Sequence, residues 1–171
     1  MLKTCPIDGV SSEMVYVSKG GFCLDAHEVT NAAYQSCVEA GFCDLPTRTS
    51  LVEIPGDDDE YYGNSKFEHY PVIWVNWEQA NTYCHKFAKK RLPTKSEWEK
   101  AAQNLTGERI DDLGGNVKEW LDESIGNDLK VVKEKNFTGQ EFTSAPLATP
   151  ARDLGFRCAA EAEFWLPWPF Q

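Results

Sequence analysis

The sequence predicts a single globular domain that mixes short strands with short capped helices. Three observations predict it. Apolar residues alternate in short runs such as Met14-Val15-Tyr16-Val17, the period of a half-buried strand. Elsewhere they recur every third or fourth position behind a capping residue, as after Thr30, Asn76 and Thr94. The chain, at 171 residues with 42% hydrophobic residues, is also long enough for one sizeable core. Six Trp, six Tyr and nine Phe make that core aromatic, and twelve Gly and nine Pro imply many turns.

Charge excludes some classes of partner. The formal net charge is −10, whereas nucleic acid and anionic membranes both need concentrated Lys and Arg. It is compatible with cation binding and with a solvated acidic surface. No apolar run approaches the roughly 18 residues of a membrane helix. The six cysteines, Cys5, Cys23, Cys37, Cys43, Cys84 and Cys158, form no Cys-x-x-Cys pair. With only three His in the chain, His27, His69 and His85, and no metal spacing among them, structural zinc is not expected. An oxidised domain is: extracellular, periplasmic or at a cell surface. Met1-Leu2-Lys3-Thr4 carries no apolar run of the signal-peptide kind, so the export signal is expected outside this sequence. Reduced core cysteines are the competing reading.

Each element follows in order. Met14–Val17 and Phe22–Asp25 read as two strands joined by Gly20-Gly21. A bridge between Cys5 and Cys23, which bracket this unit, would tie down the terminus. Thr30–Gly41 reads as a short helix with an N-cap and a terminal glycine. A Cys37–Cys43 bridge would close a small loop at its end. Asp57-Asp58-Asp59-Glu60 lacks the alternating ligands of a calcium loop and reads as a solvated run. Pro71–Val75 reads as a buried strand, and Asn76 caps a helix over 77–88 whose Ala80, Tyr83, Cys84 and Phe87 share one face. Cys84 is then core-facing, as suits a structural bridge. Thr94 and Glu97 form a capping box, with Trp98, Ala101 and Ala102 as the apolar stripe behind it. Gly114-Gly115 makes a tight turn flanked by Asp112 and Glu119, and the two glycines permit positive φ there. Lys130–Lys133 and Leu154–Ala160 read as strands, and residues 138–153 as loop. Arg91 and Arg157 read as structural cations paired with carboxylates. Asn104-Leu105-Thr106 and Asn136-Phe137-Thr138 are formal glycosylation sequons.

These residues carry a resemblance. Met14-Val15-Tyr16-Val17 with Gly20-Gly21-Phe22, Glu28-Val29-Thr30-Asn31 with Tyr34, and Pro71-Val72 with Val75-Asn76-Trp77 begin an ordered set. Ala80-x-x-Tyr83-Cys84, Arg91-Leu92-Pro93-Thr94 and Glu97-Trp98-Glu99-Lys100-Ala101-Ala102 continue it. Gly115-Asn116-Val117-x-Glu119-Trp120 and Leu154-Gly155-Phe156-Arg157-Cys158-Ala159 close it. The chain resembles the sulfatase-modifying factor family, whose best-known member is the formylglycine-generating enzyme. The resemblance implies an α+β domain of C-type-lectin-like fold with much irregular backbone. It spans residues 1–171 as one domain, with a core over about 14–160 and an aromatic tail over 161–171. The tail is expected to dock on its own domain. The resemblance also implies a Cys84–Cys158 disulfide, which leaves Cys5–Cys23 and Cys37–Cys43; sequence alone fixes no connectivity.

The same resemblance bears on function. The formylglycine-generating enzyme oxidises a substrate cysteine with copper held by two cysteines upstream of the Gly-Phe-Arg-Cys motif. Residues 124–157 contain no cysteine, His or Met, so no Cu(I) ligand of that kind stands there. The family's Arg-Gly-Gly-Ser-Trp stretch is replaced by Lys133-Glu134-Lys135-Asn136-Phe137, and its long insertion is reduced to a few residues around Asn104–Glu108. No copper and no cysteine-oxidising chemistry are expected. By family position, calcium is expected on the Asp112 and Glu119 carboxylates and the Gly115 and Val117 carbonyls. In the competing reading the two acids cap the turn. The chain is thus expected to be a non-catalytic exported binding module for a protein, peptide or glycan. The alternative is a divergent oxidoreductase or an accessory domain of a larger enzyme. The expected binding surface is 124–153 together with the loop 55–68.

Overall fold

The computed structural model describes residues 2–6, 13–50, 60–103, 110–134 and 141–165. The expected acids Asp57–Asp59, both sequon asparagines, the residues 104–109 and the tail beyond 165 lie outside them.

Among the described residues, nine short strands and three α-helices make an α+β domain. Strand β1 (Leu2–Thr4) pairs antiparallel with β9 (Glu163–Trp165), which joins the first and last described segments. Strands β2 (Met14–Val17) and β3 (Phe22–Asp25) form the expected hairpin, and β8 (Ala159–Glu161) extends it in the order β2-β3-β8. The third sheet runs β6-β5-β4-β7: β4 (Lys118–Ile125), β5 (Leu129–Lys133), β6 (Phe142–Pro146) and β7 (Leu154–Gly155). Its β4–β7 pair is parallel. Strand β6 falls inside the stretch expected to be loop; Thr, Ser and Pro gave it no apolar alternation, and it sits at the sheet edge, where Pro146 is tolerated.

The helices follow their caps. In α1 (Asn31–Glu39) the Thr30 hydroxyl accepts from the Ala33 N–H, and Gly41 follows with φ +76°. In α2 (Trp77–Thr82) Asn76 and Gln79 exchange both bonds of a capping box, and the helix loosens into a π turn over Tyr83–Phe87. In α3 (Lys95–Gln103) the Glu97 carboxylate accepts from the Thr94 N–H while Thr94 Oγ1 accepts from the Glu97 N–H. Arg91 binds the same carboxylate twice, at 2.7 and 2.6 Å.

The expected strand over Pro71–Val75 does not form. Val72, Ile73 and Val75 are buried as expected, but Trp74 turns to φ +60°, which breaks an extended run. The backbone bonds there scatter: Val72 N–H to Val29 O and Trp74 N–H to Ala151 O. The expected strand 154–160 likewise splits into β7 and β8 around Phe156–Cys158.

The main core gathers Tyr34, Tyr83, Phe156, Trp120 and the Cys84–Cys158 bridge. Tyr34 and Tyr83 stack at 5.8 Å, and Phe156 meets both edge-on. All six cysteines are bridged, as Cys5–Cys23, Cys37–Cys43 and Cys84–Cys158. Gly155 is dictated by space, since a Cβ there would stand 2.8 Å from Val72 O.

Candidate functional site

The polar centre of the molecule is Arg157. The parallel pairing of Leu154–Gly155 with Lys118–Glu119 carries the chain past β4 and sets Arg157 beside Glu119. The Arg157 side chain is fully buried. Its Nε donates to Glu119 Oε1 at 2.9 Å and Oε2 at 3.1 Å, and Nη2 donates to Oε1 at 2.8 Å. Its remaining N–H groups reach the carbonyls of Asp25, Ala26 and Asp111. Trp98 of α3 donates its indole N–H to Glu119 Oε2 at 3.0 Å. One cation thus ties β4 to the segment after β3 and to the loop after α3. Both arginines carry the structural roles read from sequence.

Glu28 stands on the other side of the guanidinium, with Oε2 3.7 Å from Arg157 Nη2. Its side chain is buried, and among the described residues no group donates to its Oε1. Burial raises its carboxyl to about 7, the Glu119 and Asp112 charges add to the rise, and Arg157 opposes it. A second buried pair adjoins: Lys90 Nζ bonds Asp25 Oδ1 at 2.8 Å, and Asp25 Oδ2 accepts the Cys158 N–H. The sequence reading did not include Glu28 and Lys90 among site residues. The signal available was a charged residue between a histidine and an apolar residue, His27-Glu28-Val29, which alone does not mark a buried acid.

The four expected calcium donors divide. Asp112, Gly115 and Val117 lie on the loop between α3 and β4. Among the described residues of that loop, the left-handed conformations fall on Asp112 (φ +60°) and Asn116 (φ +58°), not on Gly114 and Gly115. Asp and Asn are the non-glycine residues that take this region most readily. Glu119 is 2% exposed, and both of its oxygens already accept from Arg157 and Trp98. A calcium ion on Glu119 would have to displace a guanidinium. The full four-donor set therefore does not fit; the three loop donors remain.

A thiolate-held copper does not fit either. Every cysteine is in a disulfide, which leaves no thiolate to supply.

The expected binding surface includes the β4–β5 hairpin, whose residues Asp122–Asp128 are exposed, with Ile125 at its tip half-exposed. At the other place, the segment 63–68 and α1 border an open surface pocket of about 220 Å³. No helix among the described residues is long and apolar enough to cross a membrane.

Comparison with known proteins agrees with this architecture. The model of the sulfatase-modifying factor enzyme 1-like domain matches residues 13–111, more than half of the chain. No curated protein matches. Among solved structures, CarF superposes with a TM-score of 0.59 at 15% identity, over 82% of this chain and 86% of that one. PvdO from Pseudomonas aeruginosa gives 0.59 at 15% identity, over 82% and 80%. Treponema denticola variable protein 1 gives 0.51 at 17% identity, over 82% and 84%. At these identities the superpositions speak to fold alone. The chain belongs to the family of sulfatase-modifying factor enzyme 1-like domains.

Proposed function

We propose that this chain is a non-catalytic, exported binding module built on the sulfatase-modifying-factor scaffold. The observation that carries the reading is the state of the cysteines. All six are consumed in bridges, and residues 124–157 hold none. Copper-dependent oxidation of a substrate thiol needs free thiolates to hold Cu(I), and this chain has none to offer. Three disulfides also support an oxidising compartment. Calcium enters the reading through Asp112, Gly115 and Val117 alone, as a weak loop site. The partner is a protein, peptide or glycan held by exposed loops on a stapled frame.

The test is a copper titration of the unreduced protein, read as thiolate-to-copper charge transfer, beside oxygen uptake with a cysteine-containing peptide. Neither a band nor oxygen uptake is expected. Either signal would overturn the non-catalytic reading. Thiol counting on the unreduced protein checks the compartment: it should return none, and three or more would defeat export.

A further inference from the structure

The Cys5–Cys23 bridge stands apart from the other two. Cys37, Cys43, Cys84 and Cys158 all lie in the main core, none more than 7% exposed. Cys23 is buried as well, but Cys5 is partly exposed. Among the described residues, neither Cys5 nor Cys23 belongs to a hydrophobic core cluster.

What this bridge holds is small. Strand β1 pairs over three positions, Leu2 with Trp165, Lys3 with Phe164 and Thr4 with Glu163. Among the described residues, β1 and β9 form a sheet of their own. A two-stranded ladder of this length is marginal in water by itself. Cys5 follows β1 directly, and Cys23 lies within β3, opposite Ala160 of β8. The disulfide therefore fastens the end of β1 to the three-stranded sheet, across a sequence separation of 18. Once it opens, β1 must find β9 again against the entropy of a loop that is no longer closed.

We infer that Cys5–Cys23 is a redox latch: a dithiol opens it while the other two bridges stay closed, and its opening releases β1 from β9. This device does not depend on what the module binds or on whether it is catalytic. A thiolate of the dithiol attacks Cys5 Sγ, on the partly exposed residue, the Cys5–Cys23 bond breaks, and Cys23 leaves as a thiolate. The second thiol then attacks the mixed disulfide and frees Cys5. The dithiol ends as a disulfide, and its two protons end on Cys5 and Cys23. In oxidising surroundings the exchange runs back and refastens the strand. Release bares the backbone groups of Glu163–Trp165, an open edge to which another strand can pair.

The experiment is graded reduction of the unreduced full chain with dithiothreitol, without denaturant. Free thiols are blocked with N-ethylmaleimide and mapped by peptide mass spectrometry. Cys5 and Cys23 should be labelled about tenfold faster than any of the other four, since access governs the exchange. Hydrogen exchange on the selectively reduced chain should then speed up about tenfold or more over 2–4 and 163–165, with β4 and β5 unchanged. Cys5→Ser/Cys23→Ser should reproduce that pattern with no label attached. The selectively reduced parent carries the same test without any substitution. Opening of another bridge first, or of all three together, overturns the latch. So does protection that persists over 163–165 after Cys5–Cys23 is open. Loss of protection in β4 and β5 as well would show a bridge that holds the whole fold, which also overturns it.

Discussion

The Arg157 guanidinium and the Glu119 carboxylate meet through three hydrogen bonds inside the core, both within 2% of complete burial. Two residues 38 positions apart in sequence are joined here because β7 runs parallel to β4. Removing one partner leaves an unpaired charge in a medium that cannot solvate it. Glu119→Gln or Arg157→Met should each cost about 3–5 kcal/mol in denaturant unfolding. The double variant Glu119→Gln/Arg157→Met should cost much less than the sum, because neither charge is then stranded. Additive losses would show that the two residues act independently.

Much of the fold was legible because its signals are local. Thr30, the Asn76–Gln79 box and the Thr94–Glu97 box each start a helix where expected. What was not legible is long-range. Strand β6 pairs at an edge without an apolar pattern, and Trp74 takes a left-handed φ that no neighbour announces. The site was half legible in the same way. Glu119 and Arg157 were visible as charges at defined places. Which of them a metal or another side chain would claim depends on the parallel β4–β7 pairing, which no sequence period encodes.

Glu28 gives the molecule a pH dependence of definite sign. Burial first, then the Glu119 charge, raises its carboxyl from 4.5 to about 7. Between these values the folded chain keeps a proton that the unfolded chain has released. Stability therefore falls as pH rises through that window and levels off above it. The full difference is about 3 kcal/mol at 1.36 kcal/mol per pH unit. Glu28→Gln should remove this slope, seen in urea unfolding as a variant-minus-parent difference that shifts by about 2–3 kcal/mol in the variant's favour between pH 5 and pH 8. An unchanged slope would show that Glu28 is ionised throughout, held so by Arg157 at 3.7 Å.

The three disulfides should differ in worth. Cys84–Cys158 closes 74 residues and Cys37–Cys43 only 6. On the chain-entropy scale these correspond to about 4 and about 2 kcal/mol. Paired Cys→Ala variants measured by denaturant unfolding should follow that order. Both bridges lie in the main core, Cys84 and Cys158 fully buried and Cys43 7% exposed, so packing loss adds to each and loop length sets the order. The reverse order would show that the chain-entropy term does not rank these bridges.

Calcium should act weakly. A loop offering the Asp112 carboxylate and two carbonyls falls short of the six to eight oxygens that the ion takes, so a dissociation constant of about 1 mM is expected. At about 1 mM calcium, such a site stabilises by only about 0.4 kcal/mol. For a chain of this size that raises the melting temperature by about 1 °C. Asp112→Asn should abolish the rise, and Glu119→Gln should leave the increment unchanged although the protein itself is less stable. A steep rise at micromolar calcium, lost in Glu119→Gln, would mean that Glu119 leaves Arg157 for the ion. Differential scanning with and without chelator separates the two outcomes.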